Sequence, residues 1–272
     1  MSFFAQIAAT HRATRKPKDI LWNRFVARPL ATLLLVALSK TRITPNQITF
    51  GSLVVFAFAM VMLAAKPGYP WLVAAVGVLE LSYVLDCVDG QLARLRHRAS
   101  PVGAHLDFLM DELKAFLLVA ACGIRLWRAD GHELWLAEAL SGLAVVASAI
   151  SLTTFMRRQE YLVATGSARP ASAGDYGEGF TAAAAPRATS IPSGNLGGLR
   201  ASGDRLGRAK VALAGAIGLV EDLGRLLVHY PSYLLLVAIA DQLGLFLHVY
   251  LAINAAYAGR SLLSVAWKLG RR

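Results

Sequence analysis

Residues 86–111 read DCVDGQLARLRHRASPVGAHLDFLMD and join two segments that are otherwise apolar enough to cross a lipid bilayer. Ionised carboxylates at membrane depth are energetically costly, so residues of this kind mark functional sites by default. Helical residues three or four positions apart project from one face, which pairs the first two carboxylates and the last two. Two facing pairs would form an oxygen cage for hard divalent cations. The four residues are Asp86, Asp89, Asp107 and Asp111.

The composition of the chain is typical of a membrane protein. Of its 272 residues, 56% are hydrophobic and only 17% are charged. Runs of roughly 20 apolar residues recur, as spanning helices require. A formal net charge of +11 is also typical of proteins that bind nucleic acid. Here, however, the Lys and Arg residues lie between hydrophobic segments and form no basic domain. We therefore expect membrane lipids as partners, and no nucleic acid.

Hydropathy predicts an all-α integral membrane protein with six transmembrane helices and an N-terminal amphipathic interfacial helix. The fifth predicted span is short, and an earlier start within 211–229 remains open. The spans are predicted near residues 47–65, 70–93, 102–127, 133–156, 230–242 and 244–267.

The placement of basic residues predicts the orientation of these spans. Most of the 28 Lys and Arg residues fall in four segments that would lie on one side of the membrane: 1–46, 94–100, 157–210 and 268–272. Cytoplasmic loops carry an excess of Lys and Arg. We therefore expect a multi-pass protein with both termini and the Asp-bearing turn on the cytoplasmic side.

Composition also divides the chain into four regions. Residues 1–43 mix basic and bulky apolar residues, as in a helix on an anionic membrane surface, with an organelle transit peptide as the alternative. Residues 44–163 hold the first four spans and the Asp motif. Residues 164–210 are rich in Ala, Gly, Ser and Pro and predict a flexible cytoplasmic insertion. Residues 211–272 would supply an interfacial helix and the last two spans.

The Asp-rich stretch has the pattern DxxDGxxAR, then eight residues, then GxxxDxxxD. At these positions the chain resembles the CDP-alcohol phosphotransferase family, whose members share the motif in full. A second stretch, 44-TPNQIT-49, is similar to the start of the family's first span. The resemblance covers about residues 42–160. It implies transfer of a phosphatidyl or substituted phosphoryl group from a CDP-linked donor to an alcohol, with release of CMP.

The four carboxylates also make chemical sense as metal ligands. Carboxylates at close range repel one another, and bound dications would stabilise their ionised forms. Transfer from a nucleotide diphosphate needs neutralisation of the pyrophosphate, which Mg²⁺ or Mn²⁺ commonly provides. Two ions are expected, because four carboxylates with phosphate oxygens and water can complete two ligand shells. The predicted ligands are Asp86, Asp89, Asp107 and Asp111.

The family resemblance gives the last Asp of the motif, Asp111, a second role. It implies that Asp111 is the general base that takes the proton from the incoming alcohol. The alcohol oxygen would then attack the β-phosphorus of the donor and expel CMP. The sequence alone does not separate this role from metal ligation.

Small residues beside the first Asp pair are candidates for the nucleotide site. Gly90 and Ala93 lack the bulk that would keep a flat base from the backbone, and the resemblance implies a cytidine slot there. Close helix packing is the alternative. Arg94 would bind phosphate oxygens, with pairing to an Asp or anchoring at lipid headgroups as alternatives. Asn46 would shape the nucleotide pocket, cap the first span, or do both, and Gly103 belongs to the same predicted set.

Three arginines near the predicted cytoplasmic ends of spans are candidate ligands for a phosphorylated acceptor. They are Arg157, Arg158 and Arg225. The alternative is ordinary positive-inside anchoring. The segment 111-DELK-114 departs from the family, whose members often carry a basic residue directly after the last Asp. This departure leaves the subfamily open.

The sequence therefore predicts a phospholipid-synthesising transferase, with CDP-diacylglycerol as the expected donor and an alcohol or phosphorylated alcohol as the acceptor. The first alternative is a transferase that uses a soluble CDP-alcohol donor and a lipid acceptor. A divalent-cation transporter is the second, although it would place its Asp residues near the membrane midplane. A catalytically silent scaffold is the third. The oligomeric state stays open, with a homodimer among the options.

Overall fold

The computed structural model describes residues 3–14, 22–166 and 229–270, and these residues are all-helical, with no β-strand among them. The α-helices are α1 (Phe3–Thr14), α2 (Arg28–Leu38), α3 (Pro45–Ala65), α4 (Tyr69–Leu95), α5 (Pro101–Asp130), α6 (Leu134–Arg157), α7 (Gln159–Ala164), α8 (Leu234–Ile239) and α9 (Leu243–Gly270). A short π-helix, Asn23–Ala27, precedes α2, and a 3₁₀ turn, Tyr230–Ser232, precedes α8.

A capping box begins α3. The hydroxyl of Thr44 accepts a hydrogen bond from the backbone N–H of Gln47 at 3.3 Å, and the Gln47 side chain accepts one from the N–H of Thr44 at 2.9 Å. Pro45 follows at the first helical position, where a missing N–H costs nothing. Thr44 is thus the capping residue of α3, so the capping role considered for Asn46 is wrong.

Similar local signals set both ends of α5. The Ser100 hydroxyl accepts a hydrogen bond from the Gly103 N–H at 3.1 Å, and Pro101 occupies the first turn. The helix ends at Gly131, whose φ of +78° is readily adopted only by glycine, and whose N–H donates to the Trp127 carbonyl at 2.7 Å. The start of α5, close to its two Asp residues, is therefore set by the local sequence.

Three helices, α3, α4 and α6, are long and apolar enough to cross a membrane. Helices α5 and α9, with 30 and 28 residues, match them in length but not in continuous apolar composition. These five helices coincide with predicted spans one to four and six. The chain is therefore a membrane protein by the length and composition of its helices, while the cytoplasmic placement of its termini remains a prediction.

The predicted fifth span, 230–242, does not form one helix. Pro231 lies in the 3₁₀ turn, and α8 has only six residues, which corresponds to about 9 Å. The segment ends at Asp241, where φ is +52° and regular helix cannot continue. The earlier start considered within 211–229 falls outside the described residues. The count of six spans thus stays a prediction.

Helix α3 packs against both helices that carry the Asp motif, α4 and α5, and we call the end of the bundle where the motif lies its acidic end. Both α4 and α5 pack along α3, and they make few close backbone contacts with each other. Helix α5 also packs against α6, which in turn packs against α9. Because α4 and α5 both pack on α3, side chains that project from the two helices can meet beside it.

The N-terminal region packs against the same end of the bundle. Helix α2 buries Ala31 and Leu35 against Val88 and Leu92 of α4. Helix α1 contacts α2 and α4, and His11 Nδ1 lies 3.2 Å from the Thr32 hydroxyl. The interfacial placement predicted for residues 1–43 remains a prediction, as do the other region boundaries. Residues 167–210 of the predicted insertion, and 211–228 beyond it, lie outside the described part.

Candidate active site

Three of the four motif carboxylates converge between α4 and α5. One oxygen from each of Asp86, Asp89 and Asp107 lies within 4.8 Å of the other two. Opposite ligands of one Mg²⁺, each at about 2.1 Å from the ion, would stand about 4.2 Å apart. The spacing of this three-carboxylate group is therefore close to that of a formed divalent-metal site.

Hydroxyl groups on α3 hold the two carboxylates of α4. The Thr49 hydroxyl donates to Asp89 Oδ2 at 2.5 Å, and the Ser52 hydroxyl lies 3.2 Å from Asp86 Oδ1. Thr49 and Ser52 are three residues apart and therefore share one face of α3. Asp89 is buried, with 6% of its surface exposed. These hydroxyls orient the carboxylates and leave oxygen lone pairs for a further ligand.

Asp107 supplies the clearest indication that the group is incomplete by itself. Its Oδ1 atom is buried and has no hydrogen-bond partner within the described residues. Buried polar atoms are nearly always satisfied, because leaving one without a partner is energetically unfavourable. A divalent cation held by the three-carboxylate group would satisfy this oxygen. The residues present thus fit the metal that the sequence predicts.

Asp111 lies beside the three-carboxylate group and faces a buried cation. Lys114 is only 3% exposed, and its ammonium lies 2.5 Å from Asp86 Oδ1 and 3.6 Å from Asp111 Oδ1. Asp111 is not a member of the group defined by the three other carboxylates. Its predicted roles as metal ligand and as general base both stay predictions.

A small cavity extends from Asp111 and Lys114 into the helix bundle. Its volume of about 30 Å³ has room for one or two water molecules. Ser82, Tyr83 and Tyr230 contribute to its wall. Tyr230 and Pro231 therefore close one side of this cavity, although the motif lies more than a hundred residues earlier in the chain.

The residues predicted for the nucleotide slot lie together at the end of α4. A Cβ added to Gly90 would lie 3.4 Å from Arg94 Nη1 and 3.8 Å from Nη2, so the guanidinium lies beside the glycine. The Nε of Arg94 donates to the carbonyl of Thr14 at 3.1 Å, which ties this side chain to α1. Ala93 is half-buried in the same turn. Nucleotide contact by these residues remains a prediction.

Asn46 and Gly103, both predicted for the nucleotide pocket, lie close together. Asn46 is exposed in the first turn of α3, and its Oδ1 would lie 3.7 Å from a Cβ added to Gly103. The Ser100 hydroxyl would be closer still, at 3.2 Å. A side chain at Gly103 would therefore crowd the first turn of α5, and Asn46 lies next to that turn.

Two of the three arginines predicted to bind a phosphorylated acceptor, Arg157 and Arg158, lie in the described part of the structure. The guanidinium of Arg157 lies 4.6 Å from the centroid of the Phe108 ring, next in sequence to Asp107. Arg158 is exposed and precedes α7. Arg225 lies outside the described residues. The structure thus brings Arg157 next to the acidic helix, and acceptor binding by any of the three remains a prediction.

Several residues at the site were not singled out from the sequence. Lys114 lies one turn after Asp111 and shares its face, so the (i, i+3) spacing was an available signal. Thr49 lies within the TPNQIT stretch but its partner Asp89 is 40 residues away. Arg96 donates to the carbonyls of Thr41 at 2.7 Å and Ile43 at 2.5 Å, and so fixes the loop that leads into α3.

The comparisons with known proteins agree with this site. A family model described as CDP-alcohol phosphatidyltransferase matches residues 42–184, more than half of the chain and including the whole Asp motif. The chain is 35% identical over 111 residues to archaetidylinositol phosphate synthase from Aeropyrum pernix, a match that covers 40% of this chain and 52% of that protein.

A second relative is the bifunctional IPC transferase and DIPP synthase from Aquifex aeolicus. It is 31% identical over 108 residues, which cover 39% of this chain and 24% of that protein. The matched part thus spans about half of the first relative and about a quarter of the second.

Proposed function

The chain belongs to the CDP-alcohol phosphatidyltransferase family, and on this premise we propose that it is a phospholipid-synthesising transferase. It would move a phosphatidyl or other substituted phosphoryl group from a CDP-linked donor to an alcohol and release CMP. The observation that carries the proposal is the three-carboxylate group with its buried, partnerless Asp107 oxygen in the described part of the chain. That group has the chemistry of a divalent-metal site for a diphosphate.

CDP-diacylglycerol is the donor that we propose. The acidic group lies where α4 ends and α5 begins, and α4 is long and apolar enough to cross a membrane, so lipid tails could remain between helices while the diphosphate reaches the carboxylates. We place this end on the cytoplasmic side of a six-span protein, following the distribution of Lys and Arg. A soluble CDP-alcohol donor with a lipid acceptor is the alternative.

A phosphorylated alcohol is the acceptor that we propose. One relative is named archaetidylinositol phosphate synthase, and we extend a phosphorylated acceptor to this chain from that name. Arg157, which stacks on Phe108 beside Asp107, is the described arginine best placed to meet such a phosphate. Arg158 and Arg225 remain further candidates.

Asp86, Asp89 and Asp107 would hold Mg²⁺ or Mn²⁺. When bound, the ion would neutralise the diphosphate of the donor and the charge that develops on the departing CMP. Two ions, as the sequence predicts, would need Asp111 in a second ligand set. The hydroxyls of Thr49 and Ser52 would keep the α4 carboxylates in place during binding.

Asp111 would act as the general base. It would take the proton of the acceptor hydroxyl while the hydroxyl oxygen forms a bond to the β-phosphorus. The bond between that phosphorus and the CMP oxygen would break, and CMP would leave with the electron pair. Lys114, 3.6 Å from Asp111, would keep the carboxylate oriented. Asn46, Gly90, Ala93 and Gly103 would line the nucleotide pocket, and Arg94 would bind phosphate oxygens.

The direct test is metal-dependent CMP release by the purified full-length chain in lipid nanodiscs. CDP-diacylglycerol is incubated with a panel of free and phosphorylated alcohols, with Mg²⁺, with Mn²⁺ or with EDTA. CMP is measured by chromatography and the lipid product by mass spectrometry. We expect CMP and a new phospholipid in equal amounts, only when the metal is present.

An Asp107→Asn variant serves as the negative control, because it removes the carboxylate with the partnerless oxygen. Absence of CMP with every donor and acceptor, soluble CDP-alcohols included, would contradict the transferase. Uptake of Mn²⁺ into proteoliposomes without CMP release would instead identify a transporter.

A further inference from the structure

Lys114 is a cation built into the acidic site. Its ammonium contacts Asp86 at 2.5 Å and lies 3.6 Å from Asp111, so it stands between one carboxylate from α4 and one from α5. The two remaining carboxylates, Asp89 and Asp107, form no direct ion pair with it within the described residues, but both still interact with its charge. The ammonium is therefore closest to Asp86 and Asp111.

The position of Lys114 is the one that a second dication would need. An ion held by Asp111 and shared with Asp86 would have to lie between these two carboxylates, where the ammonium now lies. Asp86 has two oxygens and can face Lys114 with Oδ1 while the other oxygen faces an ion in the three-carboxylate group. One ion and the ammonium can thus coexist, whereas two ions and the ammonium would compete for the same oxygens.

Displacement of Lys114 by a second ion is unfavourable for two reasons. The side chain is 3% exposed, and it lines a small cavity together with the apolar residues Phe56, Leu79 and Ala115. A buried ammonium that loses its carboxylate partners is strongly destabilising. A second dication next to it would add repulsion between like charges at low local dielectric.

We propose that Lys114 takes the place of a second divalent ion, so that this site binds one ion at Asp86, Asp89 and Asp107. Lys114 supplies the other positive charge, between Asp86 and Asp111. Asp111 is then left outside the ligand shell, where it can accept a proton. This inference rests on the proposed function, because it assumes that the carboxylate group binds a divalent metal.

The test counts Mn²⁺ ions per chain by electron paramagnetic resonance of the free ion and by calorimetry, on the full-length protein in nanodiscs. We expect one Mn²⁺ per wild-type chain. Asp111→Asn should keep this one ion with an affinity within about threefold of the wild type, because Asp111 is not a ligand. Two ions in the wild-type chain, or loss of the ion in Asp111→Asn, would overturn the proposal.

Lys114→Met removes the ammonium at similar side-chain length and should open the second position. We expect two Mn²⁺ per chain, with the magnetic coupling of a neighbouring ion pair in the spectrum. Lys114→Arg keeps the charge and should stay at one ion. Lys66→Met, the same change at an exposed lysine far from the site, is the matched control. A count of one in a folded Lys114→Met variant would contradict the proposal.

Should Lys114→Met fail to fold, the wild-type and Asp111→Asn counts still decide between one ion and two. The outcome is also separable from the proposed function, because CMP release is measured on the same samples. A wild-type chain that releases CMP and binds two ions refutes the role of Lys114 alone. A chain that binds one ion and releases no CMP refutes the transferase alone.

Discussion

The two ends of α5 both bury charged side chains, and they satisfy them differently. Near the end of the helix, Arg125 is 4% exposed and its guanidinium donates to the carbonyls of Lys66, Pro67 and Gly68 at 2.5, 2.7 and 3.1 Å. Near the beginning, Asp107 keeps a buried oxygen without a hydrogen-bond partner in the described residues. Arg125 is satisfied by the fold itself, whereas the acidic end requires an additional ligand.

This difference separates a structural charge from a functional one. Burial alone does not distinguish them, because both ends hold groups that would be costly in an apolar environment. The distinguishing observation is whether backbone and neighbouring side chains complete the hydrogen bonding of the buried group. On that basis changes at the acidic end should affect binding and turnover, and changes at the Arg125 end should affect stability.

The largest effect is expected for Asp111→Asn at the acidic end. Loss of a general base typically lowers the rate about 10²–10⁴-fold. CMP release at saturating donor should fall by that factor, while Mn²⁺ affinity should change little. The measurement is a time course of CMP formation beside a metal titration. A variant with wild-type turnover would remove Asp111 from the mechanism.

Arg125→Met should destabilise the fold without changing the site. The carbonyls of the loop between α3 and α4 would lose their charged donor, and hydrogen bonds to a charged group contribute about 1.5–3 kcal/mol. Thermal unfolding in detergent should show a lower Tm, with Mn²⁺ affinity of the folded protein unchanged. Arg128→Met, at an exposed position on the same helix, is the control. Weaker Mn²⁺ binding in folded Arg125→Met would contradict the assignment of Arg125 to stability alone.

Gly90→Leu should weaken donor binding at the acidic end. A leucine there would extend towards the Arg94 guanidinium, which lies 3.4 Å from the position of the first added carbon. We expect the Kd for the CDP-linked donor to rise at least about tenfold, equivalent to about 1.4 kcal/mol. Gly77→Leu on the same helix is the control, because a Cβ there meets nothing within 4 Å. Equal donor affinity in both variants would remove the nucleotide slot from this position.

The smallest effect is expected for Glu138→Gln, which changes an exposed contact between Glu138 and His248. His248 Nδ1 lies 2.6 Å from Glu138 Oε1, and the His248 side chain is 56% exposed. Exposed contacts of this kind contribute about 0–1 kcal/mol. The Tm should therefore shift much less than in Arg125→Met. A Tm shift as large as that of Arg125→Met would show that the burial of a charged side chain does not predict its contribution to stability in this protein.

Local patterns in the sequence account for much of the acidic site. The i, i+3 spacing of Asp86 and Asp89 predicts a shared helical face, and the structure confirms that both meet Asp107. The family resemblance, built on the same motif, is confirmed by the family match. The predicted fifth span near 230–242 was less accurate, because hydropathy does not register the helix break at Pro231.

The other partners of the motif carboxylates are set by contacts between residues far apart in the sequence. Lys114 pairs with Asp86 across 28 residues, and Thr49 pairs with Asp89 across 40. Neither pair follows from periodicity along one helix, because periodicity describes only the face on which a residue lies. The neighbour of that face depends on which helices pack together, here α4 and α5, which both pack on α3.

The sequence by itself determined an all-helical membrane protein, the family, and the four carboxylates that share helical faces, because helix periodicity and hydropathy are local properties. Only the tertiary structure decided which carboxylates form one group, and that a buried lysine faces Asp86 and Asp111 while a buried arginine binds loop carbonyls. Electrostatic interactions depend on distances through space, and those distances exist only once the helices have packed.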